Sequence, residues 1–211
     1  MSTPGDQERP SVEALIFDLF GVMISFDNDI VYRRLAEHCA DPHEAFRSLD
    51  GQMSGLNVIT GRQSLAQTYD ILRGTLGLKL SFEAFLVAWN TPYSASMPGM
   101  ADLVERLAPH HKLVLLSNVD IDYWQVVRPL HPELDRFDAL IISAEVGLAK
   151  PDPRIFEHAC EVAGMEPARC LFIDDTPNNV RGALKAGLQG HVFRSVPALE
   201  AELRQRGVAG L

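Results

Sequence analysis

Four short apolar runs, each closed by polar residues, set the pattern of this chain. Ala14-Leu15-Ile16-Phe17 ends at Asp18, and Leu113–Leu116 ends at Ser117-Asn118. Ala139–Ile142 ends at Ser143, and Cys170–Ile173 ends at Asp174-Asp175. His191-Val192-Phe193 is a fifth candidate of the same kind. Runs that are continuous, not alternating, suit strands covered on both faces, as in a parallel sheet. Between them the apolar spacing becomes helical. Leu103, Val104 and Leu107 predict a helix over Met100–Leu107, stopped by Pro109. Asp152-Pro153 and Thr176-Pro177 each set a capping residue before a proline at the first helical position. They predict helices over Ile155–Val162 and Asn178–Ala186, the second closed by Gly187. Strands alternating with helices predict right-handed βαβ units. The expected fold class is α/β, a Rossmann-like three-layer core around a parallel sheet.

Residues 27–93 interrupt this rhythm with helical patterns and no strong strand run. Leu65, Tyr69, Leu72 and Leu76 share one helix face, and Thr60-x-x-Gln63 fits a capping box. The stretch is too long for a loop and predicts an inserted helical cap. The expected organisation is a tail over residues 1–11, a core from 12–26 and 94–211, and a cap over 27–93.

Composition narrows the function. The 211 residues carry a formal charge of −9, a poor match for nucleic acid. No apolar run approaches the roughly 20 residues that span a bilayer. Cys39, Cys160 and Cys170 form an odd, widely spaced set without a CxxC pair, which predicts reduced thiols and a cytoplasmic protein.

Ligands of open parallel sheets sit beyond the carboxyl ends of the strands. Asp18, Ser117, Asn118, Asp174 and Asp175 are expected there, and Lys150 follows the third run. Three converging carboxylates repel unless a cation joins them, and oxygen-only ligands favour Mg²⁺. A cation beside an ammonium and a hydroxyl suits a phosphoryl group.

Four pieces in order carry a family resemblance: Phe17-Asp18-Leu19-Phe20-Gly21-Val22, Leu116-Ser117-Asn118, Gly147-Leu148-Ala149-Lys150-Pro151-Asp152-Pro153 and Phe172-Ile173-Asp174-Asp175-Thr176. Together they resemble the haloacid dehalogenase superfamily of hydrolases, in the subgroup with a helical cap after the first strand. The resemblance implies Asp18 as a nucleophile that forms an aspartyl-phosphate. It implies Ser117 and the backbone beside Asn118 as phosphoryl holders, with Lys150 neutralising Asp18 and the transferred group. Asp174 and Asp175 would bind Mg²⁺ together with Asp18 and the carbonyl oxygen of Phe20, and Asn179 would orient that shell. Phe20, Gly21, Ser117, Asn118 and Lys150 are the implied substrate contacts.

One position departs from the phosphatase pattern. Most phosphatases of this superfamily carry a second aspartate, the general acid, two residues after the nucleophile. Here that residue is Phe20. The loss would cost about 10²–10⁴-fold unless another group gives the proton or the leaving group needs little help. The expected activity is Mg²⁺-dependent hydrolysis of a small phosphorylated metabolite by a monomer or homodimer, with no nucleic-acid or membrane partner. The alternatives are a 2-haloacid dehalogenase, in which an aromatic residue at position 20 is usual, and a low-activity binding or regulatory relative. Carbon–phosphorus hydrolysis would need a Schiff-base lysine in the cap, where only Lys79 is present. The cap holds six Lys/Arg against eight Asp/Glu, with no basic cluster for a multiply phosphorylated substrate.

Overall fold

The computed structural model describes residues 10–53, 56–91 and 95–211, with backbone alone for 50–53 and 56. Five strands form one parallel sheet: β1 (Ala14–Phe17), β2 (Lys112–Ser117), β3 (Ala139–Ile142), β4 (Cys170–Asp174) and β5 (Gln189–Val192). Their order is β3-β2-β1-β4-β5. The first strand lies at the centre, with Phe17 opposite Leu115 on one side and Ile173 on the other. The four apolar runs are therefore the three inner strands and the edge strand β3. The fifth strand begins two residues earlier than its apolar residues suggest, because this edge strand is only half-buried and admits Gln189 and Gly190.

Although β1 is apolar throughout, its side chains alternate between two cores. Leu15 and Phe17 pack in one layer with α6 (Met100–Leu107), α7 (Ile121–Val127) and α11 (Val196–Gln205). Ala14 and Ile16 pack in the other with α9 (Pro153–Ala163) and α10 (Pro177–Lys185). The period of two along a strand thus builds a three-layer sandwich. A four-residue helix, α8 (Ser143–Val146), follows β3.

The helical insertion comprises α1 (Asn28–Ala36), α2 (Pro42–Met53), α3 (Leu56–Ile59), α4 (Leu65–Leu76) and α5 (Phe82–Asn90). Leu35, Leu49, Leu72 and Phe85 are fully buried in a third core of its own. The capping box of α4 is not Thr60–Gln63 but Ser64–Gln67. Ser64 Oγ accepts from the Gln67 amide at 3.2 Å, and Gln67 Oε1 accepts from the Ser64 amide at 2.9 Å. Gln63 instead donates to Thr68 Oγ1 at 2.8 Å. Local sequence could not choose between two boxes four residues apart.

Residues 1–9 of the expected tail lie outside the described residues. Its end is tied down, since Gln189 Nε2 donates to the Pro10 carbonyl at 2.9 Å. The three cysteines are free and buried. The Cys170 thiol donates to the Glu166 carbonyl at 3.6 Å, and the neighbouring Cys160 and Cys170 thiols shift each other, the first upward and the second downward. Among the described residues no helix is long and apolar enough to cross a membrane.

Candidate active site

Asp18 is the first residue beyond β1, and its amide donates to the Ile173 carbonyl of β4 at 2.9 Å. Asp174 is the last residue of β4, so the two carboxylates emerge side by side at the sheet edge. Lys150 reaches both: its Nζ lies 2.6 Å from Asp18 Oδ1 and 2.8 Å from Asp174 Oδ2. All three residues are buried, and Asp175 beside them is more exposed. Asp18, Asp174 and Asp175 each offer an oxygen, all within 4.8 Å of one another.

Burial raises the Asp18 carboxyl well above its ordinary range; Lys150 pulls it down and Asp174 pushes it up. Burial alone would lower Lys150, but the two carboxylates outweigh it and hold the ammonium above its ordinary value. Burial and then Asp174 raise Asp175. Three carboxylates against one ammonium leave two negative charges when all are ionised. An all-oxygen set with that charge matches the hardness and charge of Mg²⁺. The residues present therefore fit such an ion.

Local structure fixes each acid. Asp18 Oδ1 accepts the Leu19 amide at 2.7 Å. Asp174 Oδ1 accepts the Thr176 amide at 2.7 Å, and Asn179 Nδ2 reaches both Asp174 oxygens at 3.2 and 3.1 Å. Thr176 stands at the N-cap of α10 without capping it; its hydroxyl donates to Asp175 Oδ1 at 3.3 Å instead. Gly21 has φ +79°, and a Cβ there would lie 2.4 Å from Asp175 Oδ2. Only glycine both adopts that backbone easily and admits Asp175 so close.

Asp18, Phe20, Gly21, Asn118, Lys150 and Asp175 line one cavity of about 500 Å³, as does Asn179. Ser117 and Asp174 are fully buried behind it. Ser117 Oγ is buried without a hydrogen-bond partner. Such an orphan hydroxyl is a donor waiting for a ligand oxygen or an ordered water. The Asn118 side chain is engaged with the backbone of Lys150. Its Oδ1 accepts the Lys150 amide and its Nδ2 donates to the Lys150 carbonyl, both at 2.9 Å.

Residues the sequence did not flag complete the cavity. Val31, Val58 and Trp89 come from the insertion, Phe26 from the segment just before it, and Val119, Asp120 and Tyr123 from the core. The Phe20 ring packs against Phe26 with centroids 4.3 Å apart and the rings tilted by 42°, and it lies 6.0 Å from the Tyr123 ring. Asp120 caps α7 by accepting the Tyr123 amide at 2.9 Å, and its other oxygen accepts Trp89 Nε1 at 3.3 Å. Asp120 follows Ser117-Asn118 by two residues and opens a helix, a capping signal that could have flagged it.

A family model described as haloacid dehalogenase-like hydrolase matches residues 12–187. The chain is 32% identical over 142 residues to pyrimidine 5'-nucleotidase YjjG of Escherichia coli (strain K12), a match covering 66% of this chain and 60% of that enzyme. It is 30% identical over 219 residues to (S)-2-haloacid dehalogenase of Xanthobacter autotrophicus, covering 95% of this chain and 83% of that one. Across the first curated relatives, the matches span only 27% to 60% of the relatives' lengths. A HAD family enzyme of Bacteroides thetaiotaomicron, solved in complex with magnesium and inorganic phosphate, superposes with TM-score 0.73 at 25% identity. That superposition covers 88% of this chain and 96% of the other.

Proposed function

The chain belongs to the haloacid dehalogenase-like hydrolases, and within that family we propose that it is a Mg²⁺-dependent phosphomonoesterase working through Asp18. The observation that carries this reading is the trio Asp18, Asp174 and Asp175, with oxygens within 4.8 Å and Lys150 bridging the first two. Asp18, Asp174, Asp175 and the Phe20 carbonyl would hold Mg²⁺, which when bound offsets charge on the phosphoryl oxygens. The neighbour solved with magnesium and phosphate supports that choice of ion.

Asp18 Oδ1 is engaged by Lys150 and the Leu19 amide, so Oδ2 is the attacking oxygen. It forms a bond to phosphorus as the ester P–O bond breaks, and the leaving oxygen departs with the electron pair. Water then attacks phosphorus, frees phosphate and restores the Asp18 carboxylate. Lys150 offsets charge on Asp18 and the phosphoryl group throughout, and Ser117 and the backbone beside Asn118 hold phosphoryl oxygens. The orphan hydroxyl of Ser117 suits that task. Phe20 and Gly21 face the substrate, and Asn179 steadies Asp174. Residues 27–93 act as the cap over a core of 12–26 and 94–211. The three reduced thiols favour a cytoplasmic setting.

The similarity to (S)-2-haloacid dehalogenase and the aromatic Phe20 favour a second reading, in which Asp18 forms a carboxylate ester. A haloacid also needs a cation for its carboxylate. Among the described residues lining the cavity, Lys150 is the one lysine or arginine, and two acids already hold it. Phosphate release from p-nitrophenyl phosphate with Mg²⁺, abolished by EDTA and by Asp18→Asn, is expected. Chloride release from 2-chloropropionate without phosphatase activity would favour the second reading.

A further inference from the structure

We infer that the substrate is an aryl or enol phosphomonoester whose leaving group is flat, uncharged and largely apolar, an inference that rests on the phosphohydrolase reading above. Two independent observations converge on it.

The first is the wall of the cavity. Away from Asp18 and Lys150 it includes a cluster of Phe20, Phe26, Val31, Val58, Trp89 and Tyr123. The Phe20 and Phe26 rings pack against each other, tilted by 42° with centroids 4.3 Å apart, and both line the cavity. Such a wall binds flat apolar groups by area and by ring stacking. Asp120 faces this side too, and its two oxygens are committed to the Tyr123 amide and to Trp89 Nε1. Among the described lining residues no second lysine or arginine is available for another phosphate or a carboxylate.

The second observation is chemical. The position two residues after Asp18 holds a phenyl ring packed between Phe26 and Tyr123, which cannot move a proton. An alkoxide leaving group without an acid would forfeit about 10²–10⁴-fold. A phenol ionises near pH 10 and leaves as its anion with far less help. The phosphorus–oxygen bond breaks toward the leaving oxygen, which takes its proton from water afterwards. The same ring that removes the acid thus extends the surface that an aryl leaving group would cover.

Steady-state kcat/KM with Mg²⁺ on the intact enzyme tests this with four probes: 2-naphthyl phosphate, phenyl phosphate, 4-carboxyphenyl phosphate and glycerol 1-phosphate. The expected order is naphthyl above phenyl by about tenfold, from the extra buried ring. Phenyl should exceed 4-carboxyphenyl, and glycerol 1-phosphate should trail by at least about 10²-fold. Ile59→Arg, a charge placed on the half-buried cavity wall, should lift 4-carboxyphenyl phosphate relative to phenyl phosphate by about tenfold. Asp18-dependent turnover of all four with glycerol 1-phosphate equal to or above naphthyl would overturn the substrate class and leave the phosphohydrolase reading standing. No phosphate release from any of the four would overturn both.

Discussion

The side chain of Asn118 clasps the backbone of Lys150: it accepts from the amide and donates to the carbonyl, each at 2.9 Å. The end of β2 thereby sets where the ammonium can stand between Asp18 and Asp174. Asn118 acts as a positioning residue through Lys150. Asn118→Ala should lower kcat by about 10–100-fold with little change in KM, in line with the loss of a supporting hydrogen-bond partner. Asn118→Asp should be at least as poor, since a carboxylate cannot donate to the Lys150 carbonyl. Equal kcat in the three proteins would show that the clasp does not matter.

Lys150 is a buried cation, with 3% of its surface exposed, between two buried acids. Lys150→Met removes one partner and leaves two carboxylates uncompensated. The expected loss of stability is about 3–5 kcal/mol, read from urea unfolding in EDTA. Mg²⁺ should restore more stability to the variant than it adds to the wild type, because the ion then relieves an unbalanced charge. A loss below about 1 kcal/mol would contradict the ion-pair geometry.

Gly21→Ala places a methyl group where Asp175 Oδ2 now lies, 2.4 Å away, on a backbone with φ +79°. The backbone cost is about 1–2 kcal/mol. The displaced carboxylate should weaken Mg²⁺ activation by about 10–100-fold, measured as the half-saturating Mg²⁺ concentration. An unchanged half-saturation point would remove Asp175 from the metal set.

Asp120 gives the pH dependence its sign. Burial raises its carboxyl above the ordinary range, against the pull of the Tyr123 amide and Trp89 Nε1. The folded chain then keeps this proton at pH values where the unfolded chain has lost it. That contribution to stability is present in acid and is lost as pH rises through the folded value. Asp120→Asn has no proton to lose. Its melting temperature, relative to wild type, should rise as pH climbs from the ordinary carboxylate range through the raised value of the folded chain. A difference that stays flat or falls as pH climbs above the ordinary carboxylate range would count against a buried, raised Asp120.

The core and the reacting residues were legible because both follow local rules. Apolar runs ending in acids marked β1 and β4, and the sheet necessarily brought Asp18 beside Asp174 once those strands paired. Asp152-Pro153 located α9 within a residue or two. What stayed hidden depended on distant partners. Asn118 reads as a turn former, and nothing near it in sequence shows that it holds a residue 32 positions away. Trp89 reads as core, and its indole nitrogen meets Asp120 only because α5 packs beside α7. Gly21 stood out as part of a motif, but its need to be glycine comes from Asp175, which lies far along the chain. The Thr60–Gln63 box failed because a second, equally good sequence, Ser64–Gln67, lay one turn ahead.

The central claim is that Asp18 becomes phosphorylated, and trapping the enzyme during turnover tests it most directly. The protein is mixed with Mg²⁺ and phenyl phosphate, quenched in acid within milliseconds, digested and analysed by mass spectrometry. The account predicts a phosphoryl group on the peptide carrying Asp18, lost when the quench is delayed until the substrate is exhausted and absent from Asp18→Asn. A phosphoryl group on another residue, or phosphate release with no modified Asp18 at any quench time, would contradict it.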